Sequence, residues 1–151
     1  MKNIILIGLI MLSHNLIAQN FYNTPTVVVD DITYKCEDIT KFIRVVNQTN
    51  QVSNDLENPY DSQCSKAHVI GETDKVKESI KNSFTTERYS VLKNNQAFFV
   101  INIYYELDGR VKEVWFRVLK NTLITPQELA RIEKNLKTLQ VKLKNQEWDC
   151  V

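Results

Sequence analysis

The chain has 151 residues, with 19 Lys and Arg against 18 Asp and Glu. That length supports one domain with a real core but not two. The near-balance of charge gives no electrostatic reason to seek phosphates, which argues against nucleic acid as a partner.

Residues 1–19 have the layout of a secretory signal peptide. Lys2 supplies the positive start, Ile4 to Leu12 form a compact apolar run, and Leu16-Ile17-Ala18-Gln19 offers a small residue at a cleavage point. The apolar run is too short to span a bilayer. The expectation is an exported protein, periplasmic or extracellular, with residues 20–151 forming a single neutral domain. No second long apolar run follows, so no stable membrane insertion is expected after cleavage. Cys36 lies too far downstream of the cut to carry a lipid anchor.

Ile32 to Cys36 and Phe42 to Val46 are rich in β-branched and aromatic residues and predict two strands. Asp30-Asp31 reads as a strand-end turn rather than a site. Asn47 to Thr73 is a long polar segment, and a loop of that length in a compact domain is functional or mobile. It holds Asp55, Glu57 and Asp61, interleaved with Asn54 and Asn58. Oxygen ligands at that spacing could hold calcium, but the glycine and distal glutamate of an EF-hand are missing, so a solvated loop is the reading. His68 is the one histidine left after cleavage. Beside Ala67 and Val69 it reads as a structural or exposed residue, and no zinc set can be assembled around it. Val76, Ile80 and Phe84 then predict a short amphipathic helix from about Asp74 to Phe84.

Ala97 to Leu107 and Arg110 to Val118 flank Asp108-Gly109, a strong hairpin signal. A two-residue turn opposes Leu107 with Arg110. It also sets Ile103 against Val114, Ile101 against Phe116 and Phe99 against Val118, which makes one apolar face. The other face carries Val100, Tyr104 and Trp115, with Asn102, Glu113 and Arg117. Either the N-terminal strands or a helix cover this second face, or it stays exposed as a binding patch formed by Val100, Tyr104 and Trp115. Cover is favoured, because Val76, Ile80 and Phe84 also need an apolar mate. Glu106 and Glu113 lie together near the turn, but open water around them would leave both without the burial that a catalytic acid needs.

Thr125-Pro126-Gln127-Glu128 forms a capping box with proline at the first helical position. Leu129, Ile132, Leu136 and Leu139 follow at helical spacing, with Arg131, Glu133, Lys134 and Lys137 on the other side. Val141 and Leu143 then alternate with polar residues, which predicts a last strand beside the hairpin. The three cysteines are Cys36, Cys64 and Cys150. In an exported protein they predict a disulfide, with Cys36–Cys64 favoured and Cys150 as the alternative partner.

The run Phe98 to Val114, followed by Ile124-Thr125-Pro126-Gln127-Glu128-Leu129, resembles the hairpin and second helix of TonB-type C-terminal domains. It is also similar to small exported proteins of unknown function that carry this β-β-α-β cassette. The resemblance covers roughly the last half of the mature chain. TonB proper keeps an uncleaved anchor and a long proline-rich linker, whereas this chain has only Pro25, Pro59 and Pro126. What the resemblance implies is a shared shape and a strand edge used for binding.

The sequence therefore predicts an α+β domain: an antiparallel sheet of four to six strands packed by two helices. Its expected role is a non-catalytic binding module for an envelope or extracellular protein, with no metal and no cofactor. The alternative is a small extracytoplasmic hydrolase with a site in the 54–73 loop.

Overall fold

The computed structural model describes residues 24–51, 68–69, 73–106 and 108–144. The signal segment, Cys64, Cys150 and the acidic cluster of Asp55, Glu57 and Asp61 lie outside the described residues.

Five strands form one antiparallel sheet: β1 (Thr26–Val29), β2 (Ile32–Ile39), β3 (Phe42–Asn47), β5 (Phe99–Tyr105) and β6 (Val111–Leu119). Their order is β1-β2-β3-β6-β5, so β1 and β5 are the edges. A separate two-residue pair joins β4 (His68–Val69) to β7 (Leu143–Lys144). Three helices are described: α1 (Thr73–Lys81), α2 (Thr86–Asn94) and α3 (Pro126–Leu136). The α+β class and the antiparallel sheet are as expected; the helix count is one higher, because α2 was not foreseen.

The hairpin register holds along its body. Phe99 opposes Val118, Ile101 opposes Phe116, and Ile103 opposes Val114. These residues share a core with Ile43 and Val45 of β3 and with Leu129, Ile132 and Leu136 of α3. The turn itself differs from expectation. It closes between Glu106 and Arg110, where the Glu106 N–H donates to the Arg110 carbonyl at 2.8 Å. The register then slips between Tyr104 and Tyr105, so Tyr105 opposes Val111 while Tyr104 opposes Glu113. A wider turn and one extra residue on β6 thus offset each other, and the apolar pairs fall where a tight turn would have put them.

Among the described residues of this turn, only Gly109 has positive φ, at 86°. Asp108 instead accepts from the Arg110 backbone N–H at 3.0 Å and from its Nε at 2.6 Å. The β1–β2 turn does use two left-handed residues, Asp30 and Asp31, at φ 47° and 64°. That pattern suits the right-handed twist of a two-residue hairpin.

All three helices serve the inner face. Val76, Ile80 and Phe84 pack into the same core as Phe99 and Leu129, not onto the outer face as favoured from sequence. The Thr125 capping box is formed: its backbone N–H donates to Glu128 Oε2 at 2.8 Å, and its hydroxyl accepts from the Glu128 N–H at 3.3 Å. Arg88 of α2 donates from Nε to Glu128 Oε1 at 2.6 Å, which ties α2 to the start of α3.

Helix α3 buries a second flank as well. Glu133, expected among the solvent-facing charges, is 1% exposed. It accepts from Tyr34 Oη at 2.7 Å and Asn47 Nδ2 at 2.9 Å, and it pairs with Lys137 Nζ at 2.6 Å. Tyr34 of β2 and Asn47 of β3, paired across the sheet, and Lys137 at the end of α3 bring these donors, so the buried carboxylate is matched. Burial, and then the Glu133 charge, push the Tyr34 phenol far above its ordinary range.

After α3 the chain runs beside the hairpin only briefly. Val141 N–H donates to the Gly109 carbonyl at 2.9 Å, Val111 N–H reaches the Leu139 carbonyl at 3.4 Å, and Arg110 bridges Gln140. The last strand then pairs with β4 rather than with the sheet. This corrects the expected cassette, whose final strand was to extend the hairpin. On the β6 side the contact is brief because β6 already lies between β3 and β5, and only its first residues, beyond the end of β3, meet the returning chain.

Candidate functional site

The outer face of the sheet carries the unusual chemistry. On it Val46 opposes Trp115, and Arg44 opposes Arg117. On the other side of β6, Trp115 opposes Asn102, Arg117 opposes Val100, and Tyr104 opposes Glu113. The structure therefore brings Val100, Tyr104 and Trp115 onto one surface, with Arg44 and Arg117 added from the neighbouring positions. None of the described helices lies over it. Tyr104, Val100, Trp115, Asn102 and Arg117 are half-buried, whereas Val46 and Arg44 are buried.

Trp115 is the centre. The Arg44 guanidinium carbon lies 4.9 Å from its ring centroid and that of Arg117 lies 5.6 Å away. Each contact is attractive, because a cation over an indole face meets the negative lobe of the ring. The two arginines nonetheless oppose one another across the strands, and like charges so placed repel. Arg44 is compensated by Glu37, whose Oε2 accepts from Nη1 at 2.7 Å. Lys35 Nζ lies 2.7 Å from the other Glu37 oxygen, and these bonds, Lys35 first, hold the Glu37 carboxyl below its usual range. Arg117 makes no ion pair among the described residues.

Among the described residues, three nitrogen donors on this face are buried without a hydrogen-bond partner: Asn102 Nδ2, Trp115 Nε1 and Arg117 Nε. Asn102 and Trp115 are directly opposed, and Arg117 is the next residue of β6 on the same face. A buried donor left unpaired costs about 1–3 kcal/mol. The three donors lie together, and the nearby carboxylates of Glu37 and Glu113 are engaged elsewhere, with Arg44 and Lys35 and with the Gln51 N–H.

Glu113 also points outward but is buried, not surrounded by open water as expected. The chain leaving β3 folds across it, and Gln51 N–H donates to its Oε1 at 2.6 Å. Asn50 Nδ2 anchors the same segment on the Val114 carbonyl at 2.9 Å. Glu106 lies 3.5 Å from Lys112 Nζ. The two carboxylates are therefore engaged separately and do not form an acid pair.

Strand β5 borders this face and is a sheet edge. Among the described residues no strand pairs with its far side. Its sequence, Phe99-Val100-Ile101-Asn102-Ile103-Tyr104-Tyr105, has no charge and no proline. Phe98 leads into it 51% exposed, and its ring lies 6.5 Å from that of Phe42. Edges are ordinarily guarded by lysine, proline or a short strand, and β5 has none of these devices.

The other sequence candidates lie apart. Cys36 carries a free thiol, half-buried on the inner face, and burial pushes it up to about 11. Its expected partners, Cys64 and Cys150, lie outside the described residues, and the backbone of His68 pairs with Lys144 in the small sheet. Among the described residues no three histidine, cysteine or acidic side chains come together to hold a metal ion. No described helix is long and apolar enough to cross a membrane. A groove of about 620 Å³ runs between the β1–β2 turn and α3, lined by Asp30, Asn47, Gln127, Lys134 and Lys137. The Glu133 carboxylate at its wall is already held by Tyr34, Asn47 and Lys137, so the groove is a structural seam.

No protein-family model and no curated protein matches the chain. Among solved structures it is similar to a DUF5043 family protein from Bacteroides uniformis, with a TM-score of 0.62. The two are 20% identical, over 82% of this chain and 78% of the other. At that identity the likeness is one of fold.

Proposed function

We propose that this protein is an exported, non-catalytic binding module that takes an extended segment of an envelope or extracellular protein along the edge of β5. The observation that carries the reading is the edge itself: seven residues of uncharged strand, unpaired among the described residues and lacking the usual guards. Adding a strand there would satisfy the outward backbone groups of β5 and lay the segment's side chains beside Tyr104, Asn102 and Val100. The signal-like residues 1–19 support export, and the resemblance of the sequence from Phe98 to Leu129 to TonB-type C-terminal domains supports a strand-edge mode.

The test is capture of partners from envelope extract by the mature domain, compared with a variant that carries Val100→Lys and Asn102→Lys. Charges on the edge should abolish capture while leaving the fold intact by circular dichroism. His68→Ala should leave capture unchanged, since the site does not use the 54–73 loop. Capture that survives both lysines would contradict the reading.

A further inference from the structure

The edge of β5 would accept many extended segments, but the face beside it selects among them. We infer that the outer face is a carboxylate-binding site, and that the segment taken up by β5 carries an Asp or Glu side chain that docks on Trp115, Arg117 and Asn102. This rests on the β5-edge reading and names the partner's chemistry.

The inference comes from what is missing at three adjacent positions. Arg117 is a half-buried cation without an ion pair among the described residues, and its Nε has no hydrogen-bond partner. Its guanidinium carbon lies 5.6 Å from the Trp115 ring centroid. Directly across the sheet stands Arg44, whose charge is met by Glu37. One side of this arginine pair is thus neutralised and the other is not. Next to Arg117, Trp115 Nε1 and Asn102 Nδ2 are further buried donors with nothing to bond. All three are donors, and an ionised carboxylate offers two oxygens and about four lone-pair directions, with no proton to conflict.

The placement also fits an added strand. Asn102 lies on β5, and Trp115 lies opposite it on β6. A strand paired to the far side of β5 would set one of its residues opposite Asn102, on the same face. A Glu there would point across Asn102 toward Trp115 and Arg117. The donors belong to side chains that are themselves half-buried, so a change of side-chain rotamer would present them without opening the sheet. Charge-assisted bonds of this kind are roughly twice as strong as neutral ones, and they add selectivity that backbone pairing lacks.

The experiment uses two capped heptapeptides that alternate threonine and valine, one with a central glutamate and one with glutamine there. Affinity for the mature protein is measured by titration calorimetry, at low and at physiological salt. The expected result is about tenfold tighter binding of the glutamate peptide, narrowing as salt rises. Arg117→Met keeps the stem over Trp115 and should bring the glutamate peptide down to the level of the glutamine one. Trp115→Phe keeps a ring but removes Nε1, and should reduce the preference in part. Equal binding of the two peptides would overturn the carboxylate assignment while leaving the β5-edge reading in place. Failure of both peptides to bind would overturn the two together. A glutamate preference unchanged in Arg117→Met would also overturn the assignment.

Discussion

Cys36 shows how the fold sets the chemistry of a single side chain. It sits on β2 opposite Val45, faces the core, and carries a thiol that burial raises from 9.0 to about 11. An acid whose folded pKa stands above its unfolded value stays neutral in the native state while the unfolded chain ionises. Stability is therefore intact below about pH 9 and is lost as pH climbs toward about 11. Urea unfolding of the reduced protein across that window, compared with Cys36→Ala, should show the wild type losing stability faster. Parallel profiles would mean that Cys36 titrates alike in the folded and unfolded chain, against its burial. Cys36 was legible as a cysteine in a strand, but its neighbours were not, because they come from β3 and from the helices.

At the scale of elements, the hairpin and the capped helix were readable because their signals are local. Asp108-Gly109 and the alternating residues on either side lie within one stretch of chain, as does the Thr125 capping box. Helix α2 was not readable for the opposite reason. It buries only Leu92, leaves Tyr89 and Val91 exposed, and so has no apolar stripe; Thr85 at its N-cap, accepting from the Arg88 N–H, was the one local sign. Glu133 was misread because its burial depends on Tyr34 and Asn47, far away in sequence. The register of the hairpin was right although its turn was not, since the wider turn and the slip at Tyr104–Tyr105 compensate.

That turn makes a definite demand of Gly109. A Cβ there would lie 1.8 Å from the Val141 carbonyl oxygen, and the φ of 86° is one that L side chains rarely adopt. Gly109→Ala should therefore lower stability by about 3 kcal/mol, from strain and displacement of the chain after α3 together. Denaturant titration would measure it, and a loss below about 1 kcal/mol would show that the crossing at Val141 is easily moved.

Seen whole, the molecule is asymmetric. Among the described residues, three helices and one continuous core occupy the inner face of the sheet, while the outer face holds stacked arginines, an indole and unpaired donors. The outer surface was legible in part: Val100, Tyr104 and Trp115 follow from the hairpin pattern alone. Arg44 was not, because its place opposite Arg117 depends on β3 pairing with β6 across a long sequence separation. The donors without partners could be found only in three dimensions.

The most direct measurement is amide hydrogen exchange along β5, free and with the glutamate heptapeptide bound. The amides of Phe99–Tyr105 that point away from β6 should exchange quickly in the free protein and slow on binding, while those paired with β6 stay slow throughout. Exchange at the outward amides that is already slow without ligand, or unchanged by it, would contradict an open edge awaiting a strand.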